Sequence, residues 1–431
     1  MPRSRQGDGR DPPPAVLESP STSPATTGSR RWLHYVKAIG PGMMAGLADN
    51  DPAGVASYAI AGAVAGYSQL WLIVLATFMV QAVQVSSARL GDVTQQGVLH
   101  LARARYGWKV GAVVAIAGLL ANEATLIADV AALGASLELL TGLPWTWFVV
   151  PASIILLLVT VLCSYRGLRN VFLVIGLLLL SYVVTAFLVH PDWGAALRHT
   201  VIPTVPSQLV EIEAAVALLG TTVSPYLLFW EAEGEREAHR TRRQFRFAEV
   251  DVTVGYVASN VVSYFIVVTT AATLFVTHQQ IRTAADAAMA LRPLAGDLAE
   301  AVFAVGLLGA GLLAVPMFAV SSGYIATGML GWQSGLSKTP AEAPGFYAIL
   351  SVAFLSGGLA AVIGVDPFLM LLYSQILDTF LMPILIVVLF LLVNDRQVMG
   401  NERHSRYYNG WLVASCLVMT AGAILLVTHL I

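Results

Sequence analysis

Charge is what this 431-residue chain has least of. Asp, Glu, Lys and Arg together make up 12% of it, against roughly 25% in an ordinary soluble domain, while 57% of its residues are hydrophobic. A soluble globule of this size needs a polar surface that the sequence does not contain, which excludes a soluble enzyme. A basic excess is also missing. The formal net charge is −2, so the electrostatic footprint of a nucleic-acid binder is absent. Only two cysteines occur, Cys163 and Cys416, both inside apolar runs. They do not make a disulfide scaffold, and they leave the redox compartment open. Short alternating segments are absent too, which excludes a transmembrane barrel.

What the chain does have is long continuous hydrophobic runs. A membrane-spanning helix needs about 20 apolar residues. The runs predict an all-α, multi-pass membrane protein with eleven spans, at about 37–64, 68–90, 110–139, 145–164, 168–189, 209–231, 251–276, 298–331, 346–364, 367–393 and 409–430. Residues 1–30 differ, with Pro12, Pro13 and Pro14, a Ser/Thr/Pro run from Ser19 to Thr27, and scattered arginines. They lack the apolar core of a cleaved signal and read as a disordered cytoplasmic tail ahead of a membrane domain at 31–431. Of the 24 Lys and Arg residues, all but Arg198, Arg282 and Arg292 fall on one side of this assignment. The positive-inside rule makes that side cytoplasmic. The N-terminus is then inside the cell membrane and the C-terminus outside.

Span 1 is interrupted near its middle by Asp49-Asn50-Asp51-Pro52-Ala53-Gly54. Proline removes a backbone donor and clashes with the preceding turn. Such a break persists at membrane depth only where protein or a water-filled cavity satisfies the freed backbone. Span 6 repeats the pattern with Gly220-Thr221-Thr222-Val223-Ser224-Pro225-Tyr226. Spans 1–5 (about 37–189) and 6–10 (about 209–393) thus form two five-helix sets, each opening with a broken helix, and an eleventh helix follows at about 409–430. Five crossings reverse the direction of the next unit, so the repeat is inverted. Paired interrupted helices mark a midplane substrate site in inverted-repeat transporters.

Intramembrane acids are expensive and usually functional. No basic residue lies in the core of any span, so Asp51 is expected to meet a cation. Asp49 either ligates that cation or hydrates the break. Thr221, Thr222 and Ser224 either ligate or bond their own helix backbone.

These residues resemble the NRAMP divalent-metal transporters, which have the LeuT-type fold. The stretch from Gly40 to Gly54 resembles the first-helix signature. The segment from Gln84 to Thr94, then His100 to Tyr106, resembles the end of helix 2 and its loop. Ala128 to Gly142 resembles helix 3, and Ser374, Gln375, Pro383, Asp395, Arg396, Met399 and Gly400 resemble helix 10 and its exit. Two departures stand out. Gly54 occupies the position of the family's asparagine ligand, and Ser224-Pro225-Tyr226 replaces its Met-Pro-His core. That pattern is similar to the NRAMP-related magnesium transporters. The resemblance implies a secondary transporter working by alternating access, with divalent metal as substrate and no cofactor. Its expected ligands are Asp51, Thr221, Ser224 and Gln375, with Asp49, Asn50 and Thr222 beside them. Oxygen ligands without a thioether suit Mg²⁺ and Mn²⁺. Mg²⁺ keeps several waters while using one or two carboxylates, so a partly hydrated ion is expected, Mg²⁺ first and Mn²⁺ also.

Span 3 carries Asn122, Glu123, Thr125 and Asp129. The resemblance places acids of this helix on a proton route, while hydrogen bonding between packed helices is the alternative. With Tyr226 in place of histidine, proton coupling is expected to be weak or absent. The alternative function is proton-coupled Mn²⁺ uptake. An amino-acid carrier of the same fold would have its substrate carboxylate repelled by Asp51, and an intramembrane aspartyl hydrolase would need a paired-acid motif that is missing. A channel is separated from a carrier by saturation of flux.

On span 10, Ser374 and Asp378 stand four residues apart, as do Gln375 and Thr379. Asn260 and Ser263 on span 7 are lesser candidates, and Gln81 and Gln84 on span 2 are expected to join helices. Glu231, Glu233, Glu235 and Glu237 read either as a solvated loop helix or as a lure for cations at an inner vestibule. The expected partners are the divalent cation and the lipid bilayer, with no nucleic acid, and the protein is expected to function as a monomer.

Overall fold

The computed structural model describes residues 45–46, 48–162, 180–238, 245–402 and 404–431. The tail at 1–30, the start of span 1 and the first part of span 5 lie outside them. The main helices are α1 (Pro52–Ala65), α2 (Leu70–Thr94), α3 (Trp108–Thr141), α4 (Thr146–Leu162), α5 (Leu180–Leu188), α6 (Leu209–Thr222), α7 (Pro225–Ala238), α8 (Phe245–Thr270), α9 (Ala299–Leu330), α10 (Pro344–Ala360), α11 (Pro367–Asn394) and α12 (Arg406–Leu430). Among the described residues, eight helical stretches are long and apolar enough to cross a membrane. The shorter α1, α4 and α5 fall at spans 1, 4 and 5.

Both breaks form where the sequence places them. Asp49 and Asn50 bend, Asp51 is extended, and α1 opens on Pro52, whose fixed φ suits a first helical position. In span 6, α6 ends at Thr222, Val223 leaves the helical region at φ −114° and ψ 67°, and α7 opens on Pro225. Around α1 pack α6, α8 and α11, while α3 lies along α9 and α11.

Polar contacts tie the connecting segments to one another. Arg105 pairs with Asp395, Arg89 lies 3.5 Å from Glu402, and the Arg103 guanidinium donates to the Met329 carbonyl. Trp71 Nε1 donates to the Thr204 carbonyl (3.0 Å) and Gln69 Nε2 to that of Glu211 (2.7 Å).

Two features depart from expectation, and two connecting segments carry short helices. The acidic run after the second break is no solvated loop, because α7 continues through it and Glu231, Glu233 and Glu235 are buried. Tyr256 donates to Glu231, Arg236 pairs with Glu233 (2.6 Å), and Tyr324 donates to Glu237 (2.7 Å). The segments at 190–208 and 277–298 hold short helices. The first holds the helix Trp193–Val201, and the second holds Ala284–Ala288 and Arg292–Ala295, with Ala287, Ala288, Ala290 and Leu291 buried. These pieces are too short to show a helical period. Finally, Gln81 joins α2 to α8 by donating to Thr253 Oγ1 (3.1 Å), but Gln84 is buried with neither amide atom bonded.

Candidate metal site at the two breaks

Asp51 is the N-cap of α1. Its Oδ1 accepts the Gly54 N–H at 2.5 Å, and the next free donor, the Ala53 N–H, goes to Asp129 Oδ1 of α3 at 3.0 Å. Two carboxylates therefore answer the unpaired N–H groups that open a helix, where the positive end of its dipole also favours anions. Both acids are buried. Asp378 of α11 is a third buried acid, and Asp51, Asp129 and Asp378 are electrostatic neighbours of one another.

The α6 side brings hydroxyls and carbonyls. Ser224 Oγ donates to the Thr221 carbonyl at 2.7 Å, which turns the hydroxyl back over the open end of α6. Thr221 Oγ1 is buried with no partner. Gly54 connects the two breaks. A Cβ built on it would lie 2.9 Å from Asp51 Oδ1, 2.9 Å from Thr221 Oγ1 and 3.2 Å from the Asp49 carbonyl oxygen. Three oxygens from two broken helices thus converge on a space that only glycine leaves open.

Gln375 completes the surroundings from α11. Its Nε2 donates to Ser374 Oγ (3.1 Å) and Thr125 Oγ1 (3.4 Å), and its Oε1 has no donor. Asp129 Oδ2 and Asp378 Oδ1 are likewise buried and unbonded. Leaving a buried polar atom unsatisfied costs about 1–3 kcal/mol. At and around the two breaks the orphans Asp49 Oδ1, Thr221 Oγ1, Gln375 Oε1, Asp129 Oδ2 and Asp378 Oδ1 are all oxygens, the kind of atom that a cation or its water shell satisfies. Among the described residues, no three His, Cys, Asp or Glu side chains are grouped so as to hold a metal ion. Hydroxyl, carbonyl and water would therefore have to share the coordination.

Three of the expected ligand side chains turn elsewhere. Asp49 Oδ2 accepts from Ser259 Oγ of α8 at 3.0 Å. Asn50 Nδ2 donates to Ser259 Oγ at 2.9 Å, and its Oδ1 accepts from Ser263 at 2.9 Å. Thr222 Oγ1 donates to the Leu218 carbonyl at 2.7 Å and stands 2.9 Å from the Tyr58 hydroxyl. Successive residues of a helix point about 100° apart, so Thr222 faces away from Thr221, while the bend at Asp49 and Asn50 turns those side chains toward α8. Asp129 and Asp378 were not among the expected ligands. Their signal was an acid inside an apolar span, the feature that singled out Asp51.

The remaining polar positions bond between helices. Asn122 Nδ2 donates to Ser322 (3.4 Å), Glu123 accepts from Ser356 (3.4 Å), and Asn260 Nδ2 donates to Thr77 (2.9 Å). Tyr226 donates to the Ala48 carbonyl at 3.1 Å, and its ring lies 3.9 Å from that of Phe318.

Two five-helix sets, each opening with a broken helix and meeting at a buried oxygen-lined site, define an inverted-repeat membrane transporter. The sequence profile described as "Natural resistance-associated macrophage protein-like" matches residues 42–429. The chain belongs to this Nramp family, whose members are metal-ion transporters and not enzymes. It is 28% identical to the divalent metal cation transporter MntH of Deinococcus radiodurans, over 97% of this chain and 96% of that protein. Identity to MntH of Acidiphilium cryptum is also 28%, over 86% of each. Among solved structures, a variant of the Eremococcus coleocola manganese transporter superposes with a TM-score of 0.76 at 20% identity, covering 94% of this chain and 89% of that one. The nucleobase-cation-symport-1 transporter Mhp1 gives 0.55 at 15% identity, covering 91% and 93%. These likenesses place the fold in the LeuT type.

Proposed function

We propose that this Nramp transporter carries divalent cations as partly hydrated ions, Mg²⁺ first and Mn²⁺ also, by alternating access around the two breaks. The observation that carries the reading is the convergence of Asp51 Oδ1, Thr221 Oγ1 and the Asp49 carbonyl at Gly54. With Ser224 and Gln375 the donor set is entirely oxygen. Such ligands suit Mg²⁺ and Mn²⁺, whereas a thioether would favour softer metals. One carboxylate with several retained waters is the usual way Mg²⁺ is bound. One relative is a divalent metal cation transporter and a structural neighbour is a manganese transporter.

Proton coupling is weak or absent in this reading, because Tyr226 holds the position of the family's histidine and its hydroxyl is committed to Ala48. Proton-coupled Mn²⁺ uptake is the second reading, favoured by the buried Asp129 and Asp378 beside Asp51. The N-terminus lies in the cytoplasm, the C-terminus outside, and one chain suffices for transport.

Flux of Mg²⁺, Mn²⁺ and Ca²⁺ into proteoliposomes tests the reading. Saturable Mg²⁺ and Mn²⁺ uptake that Asp51→Ala abolishes is expected, and unchanged uptake in that variant overturns the site. Acidification strictly dependent on Mg²⁺ or Mn²⁺ entry overturns the absence of coupling.

A further inference from the structure

We propose that Ser259 of α8 is a positioning residue for the ion site, and that Asp49 serves the ion through its main-chain carbonyl while its carboxylate anchors the break. The inference rests on Asp51 being the ion's carboxylate ligand. Asp49 and Asn50 immediately precede Asp51, yet both side chains bond to α8, Asp49 through Oδ2 while its Oδ1 has no donor. Ser259 Oγ donates to Asp49 Oδ2 at 3.0 Å and accepts from Asn50 Nδ2 at 2.9 Å, and the Ser259 carbonyl accepts from the same amide at 3.2 Å. One turn along, Ser263 Oγ closes the network on Asn50 Oδ1 at 2.9 Å. All four side chains are buried. Just before the break the two backbones meet, since a Cβ on Gly46 would lie 2.2 Å from the Gly255 carbonyl carbon. Gly255, Ser259 and Ser263 are four residues apart and share one face of α8. Span 1 therefore seats on that face through main-chain contact and through a hydroxyl that serves two residues at once.

The anchor fixes what the break presents on its other side. With its side chain held on α8, Asp49 directs its carbonyl to within 3.2 Å of the point where Asp51 Oδ1 and Thr221 Oγ1 also converge. Removing the Ser259 hydroxyl leaves the Asp49 carboxylate and the Asn50 amide short of partners in a buried place, and the break relaxes by rotating. The ion then loses a ligand that no substitution of a side chain at position 49 would remove directly.

The test is Mn²⁺ uptake kinetics in proteoliposomes for wild type, Ser259→Ala, Ser259→Thr, Asp49→Asn and Asp51→Asn. Ser259→Ala is expected to raise KM about tenfold, the cost of one lost buried hydrogen bond, with Vmax within about twofold of wild type. Ser259→Thr, which keeps the hydroxyl, restores KM. Asp49→Asn keeps an acceptor oxygen for Ser259 and stays within about threefold of wild type, while Asp51→Asn loses uptake. An unchanged KM in Ser259→Ala overturns the proposal, as does Asp49→Asn losing uptake as completely as Asp51→Asn. Asp49→Asn decides the matter if Ser259→Ala does not fold. If Asp51→Asn keeps wild-type uptake, the ion site itself is wrong, an outcome distinct from a silent Ser259→Ala beside an inactive Asp51→Asn.

Discussion

The two breaks solve the same backbone problem with different chemistry. The first, at Asp49-Asn50-Asp51, carries charge, and it is held from outside by serines of α8 and by Asp129 of α3. The second, at Thr221-Thr222-Val223-Ser224, is neutral and largely closes on itself, with Ser224 bonded to the Thr221 carbonyl and Thr222 to that of Leu218. In the proposed site one break thus supplies the attraction for a cation. The other supplies small oxygen donors whose geometry is set locally. A carboxylate inside the bilayer tolerates little error in its neighbours, which accounts for the support it draws from two other helices. Hydroxyls bonded one turn back need no such support.

The sharpest way to break this comparison is to neutralise the charged side. Asp51→Asn keeps the capping oxygen for Gly54 but removes the charge, and Mn²⁺ affinity measured by calorimetry is expected to fall by about 100-fold. Gly54→Ala comes next. Its methyl would sit 2.9 Å from oxygens of both breaks, so uptake should drop by about tenfold or more while the purified protein still folds.

On the neutral side the effects are smaller and separate by residue. Thr221→Val removes the orphan hydroxyl and is expected to raise the KM for Mg²⁺ about fivefold. Thr222→Val leaves KM unchanged and lowers thermal stability, because that hydroxyl bonds only Leu218 and Tyr58. A reversed ranking of the two threonines would show that α6 faces the ion differently.

A titrating group outside the membrane spans supplies the control. Burial, and then the positive Arg89 beside it, push the His404 imidazole down to about 4. Between about pH 4 and its ordinary value near 6.5 the folded protein binds fewer protons there than the unfolded chain, so stability rises with pH across that window. His404→Gln is expected to flatten the unfolding midpoint over that range and to leave uptake unaffected.

Much of the candidate site is legible in the sequence. Asp51 stood out as an acid beside a proline in an apolar span, and Thr221 and Ser224 as hydroxyls beside a second proline. Two carboxylates, Asp129 and Asp378, carried the same signal on intact helices, where Asp129 reads either as part of a proton route or as a bond between packed helices and Asp378 only as a neighbour of Ser374 on one helix face. Their rank depended on which helix each one faced. The buried glutamates of α7 misled for a related reason. A run of charges next to arginines reads as surface, and its partners Tyr256 and Tyr324 lie roughly 20 to 90 residues away.

The sequence alone determined the membrane class, the order of the spans, the positions of both breaks and the scarcity of positive charge around them. These depend on local hydrophobicity, on proline and on the cost of charge in hydrocarbon, all of which act within a few residues. Tertiary structure alone decided which side chains at the first break turn toward Thr221 and the second break and which toward α8. Asp49, Asn50 and Asp51 are neighbours in the chain, but each residue of a turn points in its own direction. Ser259, more than two hundred residues away, takes up two of the three.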